Sequence, residues 1–104
     1  MVRALSDLAP RDAIFTGGAG LSTLYVNCFT RIESPRAFFA PNNFGAMGFG
    51  FPAALAAGLI HPEKEVIVIL GDGDFMMTLQ DIETAVREGV KGVVLILNDN
   101  SYRA

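Results

Sequence analysis

The stretch that decides the fold covers residues 65–101 and holds two apolar runs, each followed by an acidic loop. Residues 65–75 read EVIVILGDGDF, and residues 93–101 read VVLILNDNS. Uninterrupted runs rich in valine and isoleucine are typical of strands buried on both faces of a parallel sheet. A helical stretch separates the two runs, which predicts a right-handed βαβ unit. We therefore predict an α/β fold in which Glu65–Leu70 and Val93–Leu97 are parallel strands.

The two acidic loops should meet at one edge of this sheet. Parallel strands end on the same side, so Asp72 and Asp99 should face one crevice, the place where open α/β sheets bind ligands. Two carboxylates with a nearby backbone carbonyl make a hard oxygen site, suited to Mg²⁺ or Ca²⁺ rather than zinc. An ion beside a glycine-rich turn and a helix N-terminus indicates a diphosphate ligand.

The rest of the chain supplies shorter elements around this unit. Pro52 suits the first position of a helix, and the residues from Gly45 to Phe51 before it read as a loop. We predict helical segments at Leu5–Ala9, Gly20–Phe29 and Ala53–Ile60, and short strands at Ala13–Thr16 and Arg36–Ala40. The fold class is a doubly wound parallel sheet of about four strands.

The clearest helix of the sequence is predicted at Thr78–Glu88. Thr78 can cap it, with Asp81 three residues on as in a capping box. Its buried stripe should contain Leu79, Ile82 and Val86. Gly89 suits the position after the last turn.

Composition excludes several classes of function. The 104 residues suffice for one domain, and a net charge of −3 without a basic stripe argues against nucleic acid. The single cysteine excludes an internal disulfide and a cysteine-based zinc site. The start lacks the apolar core of a signal peptide. Residues 44–60 are apolar, but they contain glycines and a proline and are shorter than the about 20 residues of a membrane span, so no membrane is expected.

Two motifs in register resemble those of a known superfamily. Gly71-Asp72-Gly73 is followed after 24 residues by Asn98-Asp99. This is similar to the thiamine-diphosphate (ThDP) motif of the acetolactate synthase and 2-oxoacid decarboxylase superfamily, which reads GDG, a spacer in the mid-twenties, and NN. Residues 44–54, FGAMGFGFPAA, resemble the GxMGxGxPAA segment of the same enzymes. Residues 75–85, FMMTLQDIETA, are similar to the acetolactate-synthase form of that region.

The resemblance covers about residues 13–101 and implies a domain assignment. Residues 1–104 correspond to the first part of the diphosphate-binding (PP) domain of these enzymes. The pyrimidine-binding (PYR) domain, which carries the activating glutamate, has no counterpart in the sequence, and neither has the remainder of the PP domain. The expectation is a fragment, or a subunit completed by another chain, whose sheet leaves an apolar face exposed.

The resemblance also implies metal ligands. Asp72 matches the ligating aspartate, and Asp99 matches the second asparagine of NN. Asp99 therefore departs from the family pattern, because a carboxylate stands in place of an amide. The carboxylate keeps an oxygen donor and adds negative charge. Ser101 matches the position that offers a backbone carbonyl. Arg103 stands where a glycine is usual, which is a second departure.

Cofactor contacts are implied in the same way. Gly71, Gly73, Asp74 and Phe75 match the turn at the diphosphate, where backbone N–H groups of Gly73 and Asp74 would meet it. Gly20, Leu21 and Ser22 match the first loop that touches the diphosphate. Gly45 matches the residue whose carbonyl accepts from the aminopyrimidine, and Met47 matches the apolar residue that bends the cofactor. No catalytic residue is assigned, because no glutamate here matches the activator.

These matches imply a ThDP- and Mg²⁺-dependent (or Ca²⁺-dependent) enzyme that decarboxylates or carboligates 2-oxo acids, a transferase or lyase closer to acetolactate synthase than to a simple decarboxylase. The 104-residue chain alone should be inactive. Expected partners are a small 2-oxo acid, a PYR-bearing chain or segment, and further copies in a homo-oligomer, in the cytoplasm. The alternatives are a non-catalytic ThDP-binding or regulatory module and one subunit of a split ThDP decarboxylase.

Four other interpretations compete with the cofactor site. GDGD can be an ordinary acidic turn, and Met47 can be core filler; only the register of the motifs argues otherwise. A calcium loop of the EF-hand type needs later oxygen donors where Met76 and Met77 stand. A dinucleotide site fails because no GxGxxG follows a strand.

Overall fold

The computed structural model describes residues 1–101, and these contain a four-stranded sheet in which every pairing is parallel. The order across the sheet is β2-β1-β3-β4. The strands are β1 (Ile14–Gly17), β2 (Phe38–Phe39), β3 (Val66–Gly71) and β4 (Val93–Leu97). The predicted fold class and all four predicted strands are thereby confirmed, with ends that differ by at most two residues.

Helices cover both faces of the sheet. They are α1 (Val2–Leu8), α2 (Leu21–Phe29), α3 (Gly50–Ile60), α4 (Asp72–Met76) and α5 (Ile82–Arg87). On one face α3 packs against a core that contains Ile14, Val66, Val68 and Leu70. On the other face α1 and α2 contribute Val2 and Val26 to a core with Phe15, Ile67 and Ile69. Alternate residues of β1 and β3 enter opposite cores, as the period of a strand requires.

The helix α3 begins at Gly50, earlier than the sequence predicts, and Pro52 is its third residue. Proline is still tolerated there, because the first N–H groups of a helix have no partner within the helix. The early start comes from contact with β1. A Cβ on Gly50 would lie 3.1 Å from the backbone of Gly17 and Gly18. The buried Thr16 hydroxyl donates to the carbonyl of Gly50 over 2.9 Å.

The helix predicted at Thr78–Glu88 is shorter than expected, and its buried stripe is wrong. A 3-10 turn occupies Leu79–Asp81, and the α-helix starts only at Ile82. Thr78 makes no side-chain cap, and its hydroxyl has no hydrogen-bond partner among the described residues. The tighter turn changes the helical phase, so Ala85 packs against the core while the side chains of the predicted stripe, Leu79, Ile82 and Val86, are exposed.

The end of this segment agrees with the sequence. Gly89 has a φ of +66° and terminates α5, as predicted for a glycine after the last turn. The two long strands differ in burial, since β3 is buried along its length whereas Val93, Val94 and Ile96 of β4 are exposed. None of the helices within residues 1–101 has the length and apolarity that a membrane crossing requires.

The central strand β3 should carry much of the stability. Ile69 is fully buried, whereas Ile60 at the end of α3 is 71% exposed. Ile69→Ala should lower the free energy of unfolding by about 2–5 kcal/mol, the usual cost of such a cavity. The matched variant Ile60→Ala should change it by less than about 0.5 kcal/mol. Urea unfolding followed by circular dichroism measures both, and equal effects would contradict the assigned core.

Candidate functional site

A crevice opens at the carboxyl edge of the sheet, outside the ends of β1, β3 and β4. Its volume is about 810 Å³, within the about 300–1,000 Å³ usual for ligand pockets. The strand order explains its position. From β1 the chain goes to β2 on one side and then returns to β3 on the other, so β1 and β3 flank a topological switch point. Loops leave such a point in opposite directions and leave a gap between them.

The predicted site residues come together in this crevice. Asp72 follows β3 and Asp99 follows β4, and both line it. The loops and helix starts contribute the rest of the predicted set, namely Gly20, Leu21, Ser22, Gly45, Met47, Gly71, Gly73, Asp74 and Ser101. The structure thus brings these residues to one crevice, while their part in binding a metal or cofactor stays a prediction.

Phe75 is the predicted residue that the structure places elsewhere. Its ring packs edge-on against Phe51 of α3, with 5.4 Å between the ring centroids. It lines an apolar cavity of about 330 Å³ between α3, α5 and the sheet. Phe75 is three positions after Asp72 on α4, so packing of the half-buried phenylalanine against the core anchors the helix that carries the aspartate.

The predicted GDGD turn is the start of α4. Gly71 is extended, with φ of −80° and ψ of 163°, and Asp72 is the first helical residue. The first N–H groups of a helix have no carbonyl partner within the helix. Asp72 and Asp74 are two positions apart, about 200° around the helix, so their side chains leave on nearly opposite sides.

The carboxylate of Asp74 is bonded to the protein itself. Asp74 is 2% exposed. Its Oδ2 accepts from the N–H of Ala19 at 2.5 Å, and its Oδ1 accepts from the N–H of Gly48 at 3.1 Å. The sequence prediction assigned Asp74 only a backbone contact, and these two hydrogen bonds of its side chain were not foreseen.

The loop between β1 and α2 is fixed by its own hydrogen bonds. Gly20 precedes α2 with a φ of +87°, a conformation that favours glycine. The Ser22 hydroxyl donates to the carbonyl of Ala19 over 3.0 Å, and the Thr23 hydroxyl donates to that of Gly18. These bonds hold the start of α2 against the crevice, where Leu21 and Ser22 line the wall.

The loop before α3 carries Met47 to the crevice. Gly45 and Gly48 flank this residue with φ values of +68° and +83°. The N–H of Gly45 donates to the carbonyl of Pro41 over 2.6 Å. Met47 is 39% exposed and lines the crevice, so its apolar side chain is not part of the buried core.

The loop after β4 folds through its own side chains. Asn98 Oδ1 accepts from the N–H of Asn100 at 2.8 Å, and Asp99 Oδ1 accepts from the N–H of Ser101 at 3.0 Å. Asn100 takes a φ of +57°, which asparagine tolerates. Within residues 1–101 no cluster of three histidine, cysteine or acidic side chains could hold a metal ion. A cation here would rely on Asp72, Asp99 and backbone or ligand oxygens. Arg103, the second departure from the family pattern, lies outside the described residues.

Several residues of the crevice were missed by the sequence prediction. Tyr25 lies one turn beyond Leu21 on α2, so helical periodicity could have found it. Ile96, Leu97 and Asn98 come from the end of β4, next to the predicted Asp99. The presence of Ala19 follows from its position beside Gly20. No sequence signal points to Met1, which also lines the crevice.

A parallel α/β sheet with an acidic crevice at its switch point defines a class of ligand-binding α/β domains, and comparison with known sequences identifies which one. Residues 18–104 match the family described as "Thiamine pyrophosphate enzyme, C-terminal TPP binding domain". The match covers most of the chain, so the chain belongs to this family, and the resemblance inferred from the motifs is confirmed.

Curated relatives narrow the comparison further. The chain is 36% identical over 101 residues to an "Acetolactate synthase" of Mycobacterium bovis, which covers 97% of this chain and 16% of the relative. It is 36% identical over 98 residues to "Acetolactate synthase 2, chloroplastic" of Brassica napus, covering 94% of this chain and 15% of the relative. The "Acetolactate synthase large subunit" of Haemophilus influenzae is 33% identical over 100 residues, with shares of 96% and 18%. The chain thus spans less than a fifth of the length of these relatives.

Proposed function

We propose that the crevice binds the diphosphate of ThDP together with Mg²⁺ or Ca²⁺, as part of an acetolactate-synthase-like enzyme that acts on 2-oxo acids. The observation that carries the proposal is the meeting of Asp72 and Asp99, which are far apart in sequence, in one crevice at the carboxyl edge of the sheet. Family membership and the names of the relatives support the choice of cofactor and reaction.

The chemistry of the lining fits this ligand. Asp72 and Asp99 supply carboxylate oxygens and Ser101 a backbone carbonyl, which are donors that Mg²⁺ and Ca²⁺ prefer. The helices α2 and α4 both begin at the crevice, at Leu21 and Asp72. Their first N–H groups and their dipoles favour a negatively charged group. A divalent ion would neutralise the charge that the diphosphate and the two aspartates bring together.

Each lining segment has a distinct part in binding. The turn at Gly71 and Gly73 lets the backbone come close to a phosphate, because glycine has no Cβ. Met47 offers an apolar surface at the rim, where it would press against the cofactor and keep it bent. Gly45 would place its carbonyl near the aminopyrimidine. When bound, ThDP supplies a thiazolium carbon that becomes nucleophilic on losing its proton.

The protonation chemistry of the aminopyrimidine needs a group from elsewhere. The described residues that line the crevice include aspartates but no glutamate. We therefore assign the activating glutamate to a PYR-bearing segment or chain, and no residue of residues 1–104 is named as catalytic. The proposal includes assembly into a homo-oligomer and a cytoplasmic location. It treats residues 1–104 as part of a PP domain.

The metal site is tested by removing Asp72. Mutation of a residue that only hydrogen-bonds to a metal ligand lowers metal affinity by about 10- to 100-fold, so loss of the ligand itself should lower it by at least as much. Asp72→Ala should therefore remove most of the Mg²⁺-dependent binding of ThDP, measured by titration calorimetry with and without Mg²⁺. The control is Asp12→Ala, an exposed carboxylate before β1 at the opposite edge of the sheet. If ThDP binding by Asp72→Ala still depended on Mg²⁺ as in the natural chain, the assignment of Asp72 as a metal ligand would be wrong.

The departure at position 99 gives a second test. Asp99→Asn restores the amide usual in the family and keeps an oxygen that can accept from Ser101, so it should retain Mg²⁺-dependent ThDP binding. Asp99→Ala should lose it. The same calorimetric titration compares the two variants. Binding that survives Asp99→Ala but not Asp99→Asn would show that this side chain is not a ligand and that the register of the motif is wrong.

The third test concerns turnover. The 104-residue chain incubated with ThDP, Mg²⁺ and pyruvate should release no CO₂ above background, because no glutamate of the crevice can activate the aminopyrimidine. Acetolactate synthase of Mycobacterium bovis serves as the positive control. Sustained, cofactor-dependent release that survives repurification would show that the active centre is complete within these residues.

A further inference from the structure

One buried charge in the molecule has a structural task that metal or cofactor binding does not explain. Asp74 is 2% exposed, and burying a carboxylate is costly unless hydrogen bonds compensate it. Each of its oxygens has its own donor, Ala19 N–H for Oδ2 and Gly48 N–H for Oδ1. Hydrogen bonds to a charged acceptor are about twice as strong as neutral ones, so this pair of bonds is a strong local constraint.

The two donors belong to loops that are distant in sequence. Ala19 is 55 residues from Asp74, and Gly48 is 26 residues from it. Ala19 immediately precedes Gly20 and the start of α2, while Gly48 immediately follows Met47. Through one side chain, α4 therefore fixes two of the other segments that form the crevice wall.

The site requires a carboxylate rather than an amide. Both partners are N–H donors, and a carboxylate has two acceptor oxygens whereas an asparagine has one oxygen and one NH₂ group. In Asp74→Asn the NH₂ group would face an N–H, so one of the two loops would lose its partner.

The approach of this carboxylate also needs a small neighbour. A Cβ on Gly18 would lie 2.6 Å from Asp74 Oδ2 and 2.8 Å from the Cβ of Leu70. No side chain fits there without movement of the carboxylate or of β3. The absence of a Cβ at Gly18 thus leaves the space that the carboxylate of Asp74 occupies.

We propose that Asp74 is a positioning residue of the crevice: its buried carboxylate holds the loop at Ala19 and the loop at Gly48 in the arrangement that receives the cofactor. The inference rests on the proposed function, since it names ThDP as the ligand for which the loops are held. On the opposite side of α4, Asp72 would contact the ion of the proposed site, whereas Asp74 acts only through the backbone N–H groups it binds. Because the N–H groups of Ala19 and Gly48 donate to Asp74, a bound diphosphate would be met by other donors.

The test compares the full chain with Asp74→Asn, Asp74→Ala and the control Asp12→Asn, which removes an equal charge from an exposed position. Two quantities are measured well below the unfolding midpoint of every variant. One is the hydrogen-exchange rate of individual amides by NMR; the other is the dissociation constant of ThDP in excess Mg²⁺ by calorimetry. If the freed loops keep the competent arrangement one-tenth of the time, the dissociation constant rises about tenfold.

The expected result is faster exchange at Ala19 and Gly48 in both Asp74 variants, with Ile69 in β3 unchanged, and a weaker ThDP affinity than in Asp12→Asn. A lower melting temperature with an unchanged dissociation constant would reduce Asp74 to a structural role and overturn the proposal. If the Asp74 variants fail to fold, hydrogen exchange in the natural chain tests the proposal. Amides of Ala19 and Gly48 that exchange as fast as those of an open loop would overturn the proposal, whereas protected amides would support it.

The two proposals can fail separately. If the natural chain binds no ThDP, the proposed function is wrong, but the exchange comparison still reports whether Asp74 holds the two loops. Selective loss of protection at Ala19 and Gly48 would then support the hold on the two loops. Unchanged protection in the Asp74 variants would overturn it, whatever the calorimetry shows.

Discussion

The parallel pairing of β1 with β3 is the constraint on which the rest of the structure depends. The register places Ile14 opposite Val66 and Gly17 opposite Ile69, although the two strands are separated by an intervening strand and two helices. Because both strands run in the same direction, the loops that follow them leave from the same edge. The crevice exists because one loop turns toward β2 and the other toward β4.

The close approach of α3 reinforces this pairing. Thr16 bonds to the first residue of α3, and Gly50 touches the backbone at the end of β1. The loop that carries Met47 is thereby held above the same edge as Asp72. The crevice and the framework share α4, since this helix begins with Asp72, which lines the crevice, and continues with Asp74, whose carboxylate is hydrogen-bonded to the backbone.

The sequence predicted what local patterns can determine. The valine and isoleucine runs identified β3 and β4, and the spacing of Gly71-Asp72-Gly73 and Asn98-Asp99 located the crevice. The phase of α5 could not be predicted, because it depends on the 3-10 turn at Leu79–Asp81, which the apolar spacing of the sequence does not indicate. Likewise, the role of the Asp74 side chain depends on donors 55 and 26 residues away. A turn motif predicts a backbone path, whereas the partner of a buried side chain emerges only after the chain is folded.

The strand β3 is buried, whereas β4 is partly exposed, and this difference bears on contacts with other chains. Within residues 1–101, β4 lies at the edge of the sheet, and its sequence VVLIL contains no charge, proline or bulge that would discourage another strand. Natural edge strands are usually protected by such features. A run of apolar residues also gives an incoming strand little to distinguish one register from the next. Among the described strands, the run that completes the sheet is thus also the edge most open to the addition of another strand.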